Sequence, residues 1–496
     1  MTNNILEYLE ERECLQPEKS AVVDKNGVSI SFKELAEKSR QVGTFLARKQ
    51  IYNKPIPVFT NQSIDSLVLF FGILYSGNYY VPIDAATPNE RIKLIFENCQ
   101  ASISCGADKL DYSFSAYYSL DEMLVEEDAA LLEEIRNKHK ADNPLYMVYT
   151  SGSTGIPKGV LKSHGSMIYF IEKFVETFSL KEEVVANQTP FYFDASAKDI
   201  YLMLKTGSTM HIVPKELFMF PVKLIEFLNQ RQITYICWVP SALGILSQLN
   251  AFKNSKPEHV RNVFFVGEVM QIKHLNYWRE HLPTARYVNL YGSSEMSGIC
   301  CYYEIKKQFD LESALPIGKP LNGIEVFLSQ DVCMEGEHAD ENIGEICVRS
   351  PSLALCYFAD PEKNKKVFTV DENSAVVLRT GDLGKYDAEG NIVYVSRKDF
   401  QIKHMGHRIE LCEIETYLNA IDFIDTSCCV YDEKSDKIIS FFTAHGDVED
   451  FSKTIINLLK AKLPTYMIPN KYIKLDKMPS NKNGKIDRVL LKKAIQ

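Results

Sequence analysis

At 496 residues, 45% of them hydrophobic and 24% charged, the chain can bury a large core and divide into more than one domain. Its formal net charge of −9 excludes the basic footprint that a nucleic-acid binder sets against phosphate. The opening stretch MTNNILEYLEERECLQPEKS carries acids where a secretory leader needs a basic and then an apolar segment, and the run Leu67 to Tyr75 is too short to span a bilayer, so a cytoplasmic protein with no membrane and no nucleic-acid partner is expected.

Near the N-terminus, Ser31 and Glu34 have capping-box spacing, and Leu35, Val42 and Leu46 follow on one helical stripe. The segment LVLFFGILYSGNYYVPID reads as a buried helix stopped at Gly77 and then a short strand into Pro82. Helices and strands alternate in this way through most of the chain, which predicts an α/β architecture of layered sheets and helices with parallel strand segments. The acidic stretch EEDAALLEEIRNKHKADNP reads as a solvated helix and linker.

The segment VYTSGSTGIPKGVLKSH follows. LYMVYT is β-prone, and Ile168, Ile171, Val175 and Phe178 mark a helix beyond, so the glycine-rich loop is expected to join strand to helix. Its glycines let backbone N–H groups approach an anion, Ser151, Ser153 and Thr154 add hydroxyls, and Lys158 adds a charge. A polyphosphate suits such a loop. It is not a Walker loop, because Pro157 precedes the lysine and Gly159 follows it.

Beyond YVSRKDFQIKHMGHRIEL the texture changes to a small α+β unit: a helix through Ile414, Leu418 and Ile421, the strand KIISFFTAH, and a helix through Phe451, Ile455 and Leu459. A boundary near Asp399 gives domains of 1–398 and 399–496. The 12 cysteines include no C-x-x-C pair and read as reduced, mostly buried thiols; His404 and His407 lack the further ligands a structural zinc needs.

The glycine-rich loop resembles the phosphate loop of the adenylate-forming (ANL) superfamily, which holds acyl-CoA synthetases, nonribosomal peptide synthetase adenylation domains and D-alanine:carrier-protein ligases. In the same order come YVPIDAATPNERI, FDAS, NLYGSSE, RTGDLGKY, SRKDFQIKHMGHRIELCEIE and NGKIDR, so the likeness spans nearly the whole chain. It implies a large N-terminal adenylate-forming domain and a small, mobile C-terminal α+β domain. It also implies attack of a carboxylate on the α-phosphorus of ATP with loss of pyrophosphate, a meeting of two anions that cations and oriented donors must permit.

By that resemblance Thr150, Ser151, Gly152, Ser153, Thr154, Gly155 and Lys158 grip the β- and γ-phosphates. Glu295 would hold Mg²⁺ with Ser294 beside the α-phosphate, Asn289 and Tyr291 would meet adenine, Gly292 would belong to the ATP-binding set, and Asp382 would meet the ribose, with Tyr394 and Arg397 nearby. Lys485 matches the catalytic lysine, with Lys158 and Glu295 as further catalytic groups, and Asp399 matches the hinge. The expected cofactors are ATP and Mg²⁺.

Asp194 of FDAS matches the aspartate that amino-acid-activating members pair with the substrate ammonium; a buried carboxylate without a partner predicts a cationic ligand atom, so an α-amino acid is favoured. The matching substrate positions are Asp194, Ala195, Lys198, Trp238, Phe264, Val266, Leu290, Gly298 and Ile299. Lys198 would either pair with a polar substrate side chain or point to solvent. No carrier signature follows NGKIDRVLLKKAIQ, so a separate phosphopantetheine-bearing carrier protein is the expected thiol acceptor. Departures from the family pattern stand at Ser396, at HMGHR, at Cys412 and in PSLALCYF, and bear on the thioester step more than on adenylation. The competing readings are an acyl-CoA synthetase and a catalytically idle nucleotide-binding scaffold.

Overall fold

The computed structural model describes residues 2–107, 115–152, 156–311, 313–331, 342–398, 401–445, 450–479 and 486–495. Local sequence rules account for many of its elements. Ser31 Oγ accepts the Glu34 amide at 3.2 Å while Glu34 accepts the Ser31 amide at 2.9 Å, so the capping box starts the helix Phe32–Ala47. Ile64–Tyr75 is the buried helix, and Gly77 beyond it adopts a positive φ of 72°. The strand Tyr79–Asp84 follows.

The chain forms two compact units. The first comprises 1–85, 100–148 and 160–398, and the second comprises 86–99, 149–159 and 399–496. A single cut near Asp399 therefore leaves out two short N-terminal segments that group with the C-terminal hundred residues. Their partners are remote in sequence, so no composition shift marks them.

In the first unit, a nine-stranded sheet runs in the order Lys319–Pro320, Cys301–Glu304, Arg286–Tyr291, Asn262–Val266, Tyr235–Trp238, Val184–Asn187, Thr209–Ile212, Ser20–Val23, Ser29–Ser31. Its interior pairs are parallel and its edges antiparallel. A second sheet, of seven strands, includes Pro55–Thr60, Tyr79–Asp84 and Pro144–Thr150. One apolar cluster draws Phe70, Tyr80 and Tyr146 from around the seven-stranded sheet, Phe170, Phe174 and Tyr201 from the helices His164–Phe178 and Asp194–Thr206, and Phe264 and Leu290 from the nine-stranded sheet. The opposite face of the nine-stranded sheet carries a separate cluster with Ile236, Trp238 and Phe265. The stretch 325–397 departs from the expected strand–helix alternation: Glu325–Ser329, Gly344–Arg349, Val376–Tyr386 and Ile392–Arg397 pair antiparallel.

In the second unit, the hairpin Gln401–His404 with His407–Glu410 leads into the helix Leu411–Asn419. A three-stranded sheet of Ile424–Asp432, Lys437–Ala444 and Lys471–Lys474 and the helix Phe451–Lys460 complete the α+β pattern. Among the described residues no helix is long and apolar enough to cross a membrane.

Candidate functional site

In the first unit, the strand Arg286–Tyr291 delivers Asn289 and Tyr291. Asn289 Nδ2 donates to Pro316 O at 2.8 Å. The Tyr291 hydroxyl donates to Asp382, and Arg397, the register partner of Asp382 across the antiparallel strand pair, donates to the other carboxylate oxygen. Asp382 is 1% exposed and its amide donates to Thr380 Oγ1 at 3.0 Å. Burial, followed by the Asp382 charge, holds the Tyr291 phenol well above its ordinary range, so it stays a donor. The result is a buried carboxylate fixed between a guanidinium and a phenol. Tyr394 lies on the strand with Arg397 and packs against the main cluster.

Gly292, Ser294 and Glu295 lie in the turn after that strand. Glu295 is buried, accepts the Tyr357 hydroxyl, and through its carbonyl accepts the Ala354 amide at 2.9 Å. Gly298, at φ 79°, closes the turn where a Cβ would lie 2.2 Å from the Phe170 ring, a position only glycine fits.

The substrate positions separate by strand parity. Phe264, Leu290 and Ile299 belong to the main cluster and half-buried Val266 packs against it, while Ala195 follows Asp194 at the start of its helix. Trp238 corrects the expectation. Side chains alternate along Tyr235–Trp238, so Tyr235 and Cys237 join Phe264 and Trp238 faces the other cluster, its Nε1 donating to Ala186 O at 2.9 Å.

Lys198 neither points to solvent nor stands free for a substrate. It is 4% exposed and pairs with Asp199, which also accepts Asn187 Nδ2 at 3.0 Å. Burial, the largest influence, lowers the Lys198 ammonium, and Asp199 and Cys237 together oppose it and leave the group above its usual range.

Asp194 also differs from expectation, because it already has a cation. Lys162 Nζ lies 2.6 and 2.7 Å from its two carboxylate oxygens and 2.5 Å from Met296 O, and the Tyr146 hydroxyl donates to Asp194 Oδ1 at 2.7 Å. The argument that a solitary acid demands a cationic ligand therefore does not hold for this chain. Burial pulls the Lys162 ammonium below its ordinary range, with Asp194 and Glu295 opposing. Lys162 and Tyr146 escaped the sequence reading, although one signal was there: Lys162 shares its strand parity with Val160, a core residue, and so points inward.

Residues 149–159 group with the second unit, and beyond the glycine-rich loop the chain forms a strand, Lys158–Ser163, before the helix His164–Phe178 begins. The expected strand-to-helix connection is thus corrected: GVLKS buries its apolar residues in a sheet, so the chain beyond the loop enters a strand first and a helix only after it. Thr150 Oγ1 lies 3.5 Å from Lys158 O. Ser151 Oγ donates to Arg408 O at 2.8 Å and accepts the Glu410 amide at 3.0 Å. The Gly152 amide donates to Glu413 Oε2 at 3.0 Å, and a Cβ on Gly152 would lie 2.0 Å from Ile156 O. Glu413, fully buried, is paired with Arg91 at 2.5 Å. Burial raises the Glu413 carboxyl, with Arg91 and the Gly152 amide opposing. Ser153, Thr154, Gly155, Asp399 and Lys485 lie outside the described residues.

Among the described residues no three His, Cys, Asp or Glu side chains converge as a metal site. His404 instead meets Asp436 at 2.8 Å, and His407 stacks on Tyr466. The single buried carboxylate of Glu295 fits Mg²⁺ held chiefly by phosphate and water oxygens, and does not fit a cage made of protein alone.

Residues 9–358 match the AMP-binding enzyme family. The chain is 30% identical to zwittermicin A synthase ZmaJ of Bacillus cereus, over 99% of this chain and 95% of that protein. It is also 30% identical to a D-alanine--D-alanyl carrier protein ligase of Bacillus cereus, over 98% of each. The solved structure of holo-PA1221, an NRPS protein containing adenylation and PCP domains, shares the fold with a TM-score of 0.82 at 21% identity, over 98% of this chain and 84% of that one.

Proposed function

Because the chain belongs to the AMP-binding enzyme family, we propose that it activates an amino acid with ATP as the aminoacyl adenylate and then passes it to the phosphopantetheine thiol of a separate carrier protein. The observation that carries this reading is likeness along the full length to a ligase whose name states a carrier-protein acceptor. In the first half-reaction a substrate carboxylate oxygen bonds to the α-phosphorus and the bond to pyrophosphate breaks. Asp382, held by Arg397 and Tyr291, anchors the ribose hydroxyls as an acceptor already oriented. Lys158 and Lys485 supply positive charge where two anions meet. Glu295 and Ser294 would hold Mg²⁺, which when bound offsets phosphate charge. Asp399 serves as the hinge on which the C-terminal segment turns between half-reactions.

The test is pyrophosphate exchange with the twenty amino acids and their D-isomers, with and without Mg²⁺. Exchange with a narrow set of amino acids is expected, and silence with every acid refutes the reading. Lys485→Ala should lower exchange roughly 10²- to 10³-fold and retain ATP binding; an unaltered rate removes the lysine from the chemistry.

A further inference from the structure

The Lys162–Asp194 pair has a geometry that bears on substrate choice. An ammonium carries three protons. Those of Lys162 are accounted for by the two Asp194 oxygens and Met296 O, so none is left to donate to a ligand. The Lys162 side chain is 0% exposed, whereas that of Asp194 keeps 18%. The reachable end of the pair is thus a carboxylate whose charge is cancelled from behind. Oδ1 accepts both Lys162 and Tyr146, and Oδ2 accepts Lys162 alone, which leaves Oδ2 room for one more donor.

A substrate ammonium bonding Oδ2 would bring a second cation to a carboxylate that already has one. A neutral hydroxyl can make the same hydrogen bond without like-charge repulsion. We infer that Lys162 is a specificity-determining residue: by neutralising Asp194 it weakens the preference for an α-ammonium, so that the 2-hydroxy analogue of the preferred amino acid is activated nearly as well. This rests on the amino-acid reading above, and names the wider substrate class as 2-amino and 2-hydroxy carboxylic acids. The chemistry balances as for an amino acid: one carboxylate oxygen forms the bond to the α-phosphorus, pyrophosphate leaves with its electron pair, and no oxidant or proton donor is needed.

The experiment measures pyrophosphate exchange with each amino acid and its 2-hydroxy analogue in the native protein, in Lys162→Met and in the charge-free pair Lys162→Met/Asp194→Asn, with thermal unfolding of each. The native ratio of amino to hydroxy acid should lie within about tenfold, where a site that strictly requires the missing group would reject its analogue by roughly 10⁴-fold. Lys162→Met leaves Asp194 charged with only the substrate to neutralise it, so the ratio should rise at least about tenfold toward the amino acid. The double variant should return the ratio to the native range and recover the unfolding midpoint lost in the single variant. If Lys162→Met does not fold, the native and double-variant ratios decide by themselves, since both must stay within tenfold. A native ratio above tenfold, or one that Lys162→Met does not move, overturns the inference and leaves amino-acid activation standing. Exchange with 2-hydroxy acids alone overturns the amino-acid reading and, with it, the near-parity inferred for the pair. Silence with both classes overturns both.

Discussion

Arg91 and Glu413 are 322 residues apart in sequence and meet at 2.5 Å, with side chains 7% and 0% exposed. Replacing Glu413 by leucine leaves a guanidinium buried without its counter-ion and removes the acceptor of the Gly152 amide. Breaking one side of a buried pair costs about 3–5 kcal/mol, and an orphaned amide about 1–3 kcal/mol, the two overlapping in part. Arg91→Met should cost a similar amount from the other side. The double variant Arg91→Met/Glu413→Leu replaces two charges by apolar groups of similar size and should cost less than either single change, about 0–2 kcal/mol, because the desolvation of both charges is avoided. Arg91 and Glu413 both belong to the smaller second unit, so a readout confined to that unit isolates their effect. Hydrogen exchange, read on peptides covering Ala86–Cys99, the glycine-rich loop and Leu411–Asn419, reports the local opening free energy. Each single variant should speed exchange in all three segments, most at Gly152 in Glu413→Leu, and the double should restore much of the protection in the helices. Costs that add in the double variant would refute the argument, since two independent residues add and a shared buried pair does not.

Trp238→Phe should cost about 1–3 kcal/mol, through the lost Nε1 bond to Ala186 O and lost packing, yet leave the order of preferred acids in pyrophosphate exchange unchanged, while Phe264→Leu should reorder it. A reordered panel in Trp238→Phe would place that ring on the substrate face. Burial, helped by Arg231, lowers His211 from 6.5 to about 4. The unfolded chain therefore takes up the proton first, and stability falls as the pH drops from about 6.5 to about 4, by up to about 3 kcal/mol at roughly 1.36 kcal/mol per unit. His211→Phe, which cannot titrate, should flatten the unfolding midpoint against pH over that window relative to the native protein. Parallel curves would show that the imidazole does not carry the effect.

Features written within a few residues were legible in the sequence. Ser31 and Glu34 cap their helix because the capping box is a four-residue device, and Gly77 follows a helix stop because φ of 72° is a local need. What the sequence hid depends on partners far away or on a one-residue parity. Trp238 and Cys237 are neighbours, and only the pleat decides which of them faces Phe264. GVLKS is too short for periodicity to separate a strand from the first turn of the following helix, and pairing with Cys356–Tyr357 and Pro144–Thr150 settles it. Asp194 is the instructive case. Its identity and motif suggest an acid awaiting a cation, and that inference is sound for a carboxylate whose surroundings are apolar. Lys162 lies 32 residues earlier on another element, and it reverses the electrostatic argument without altering a single residue of the motif. Lys162 therefore enters the charge balance at Asp194, and an argument from the aspartate alone leaves that charge out.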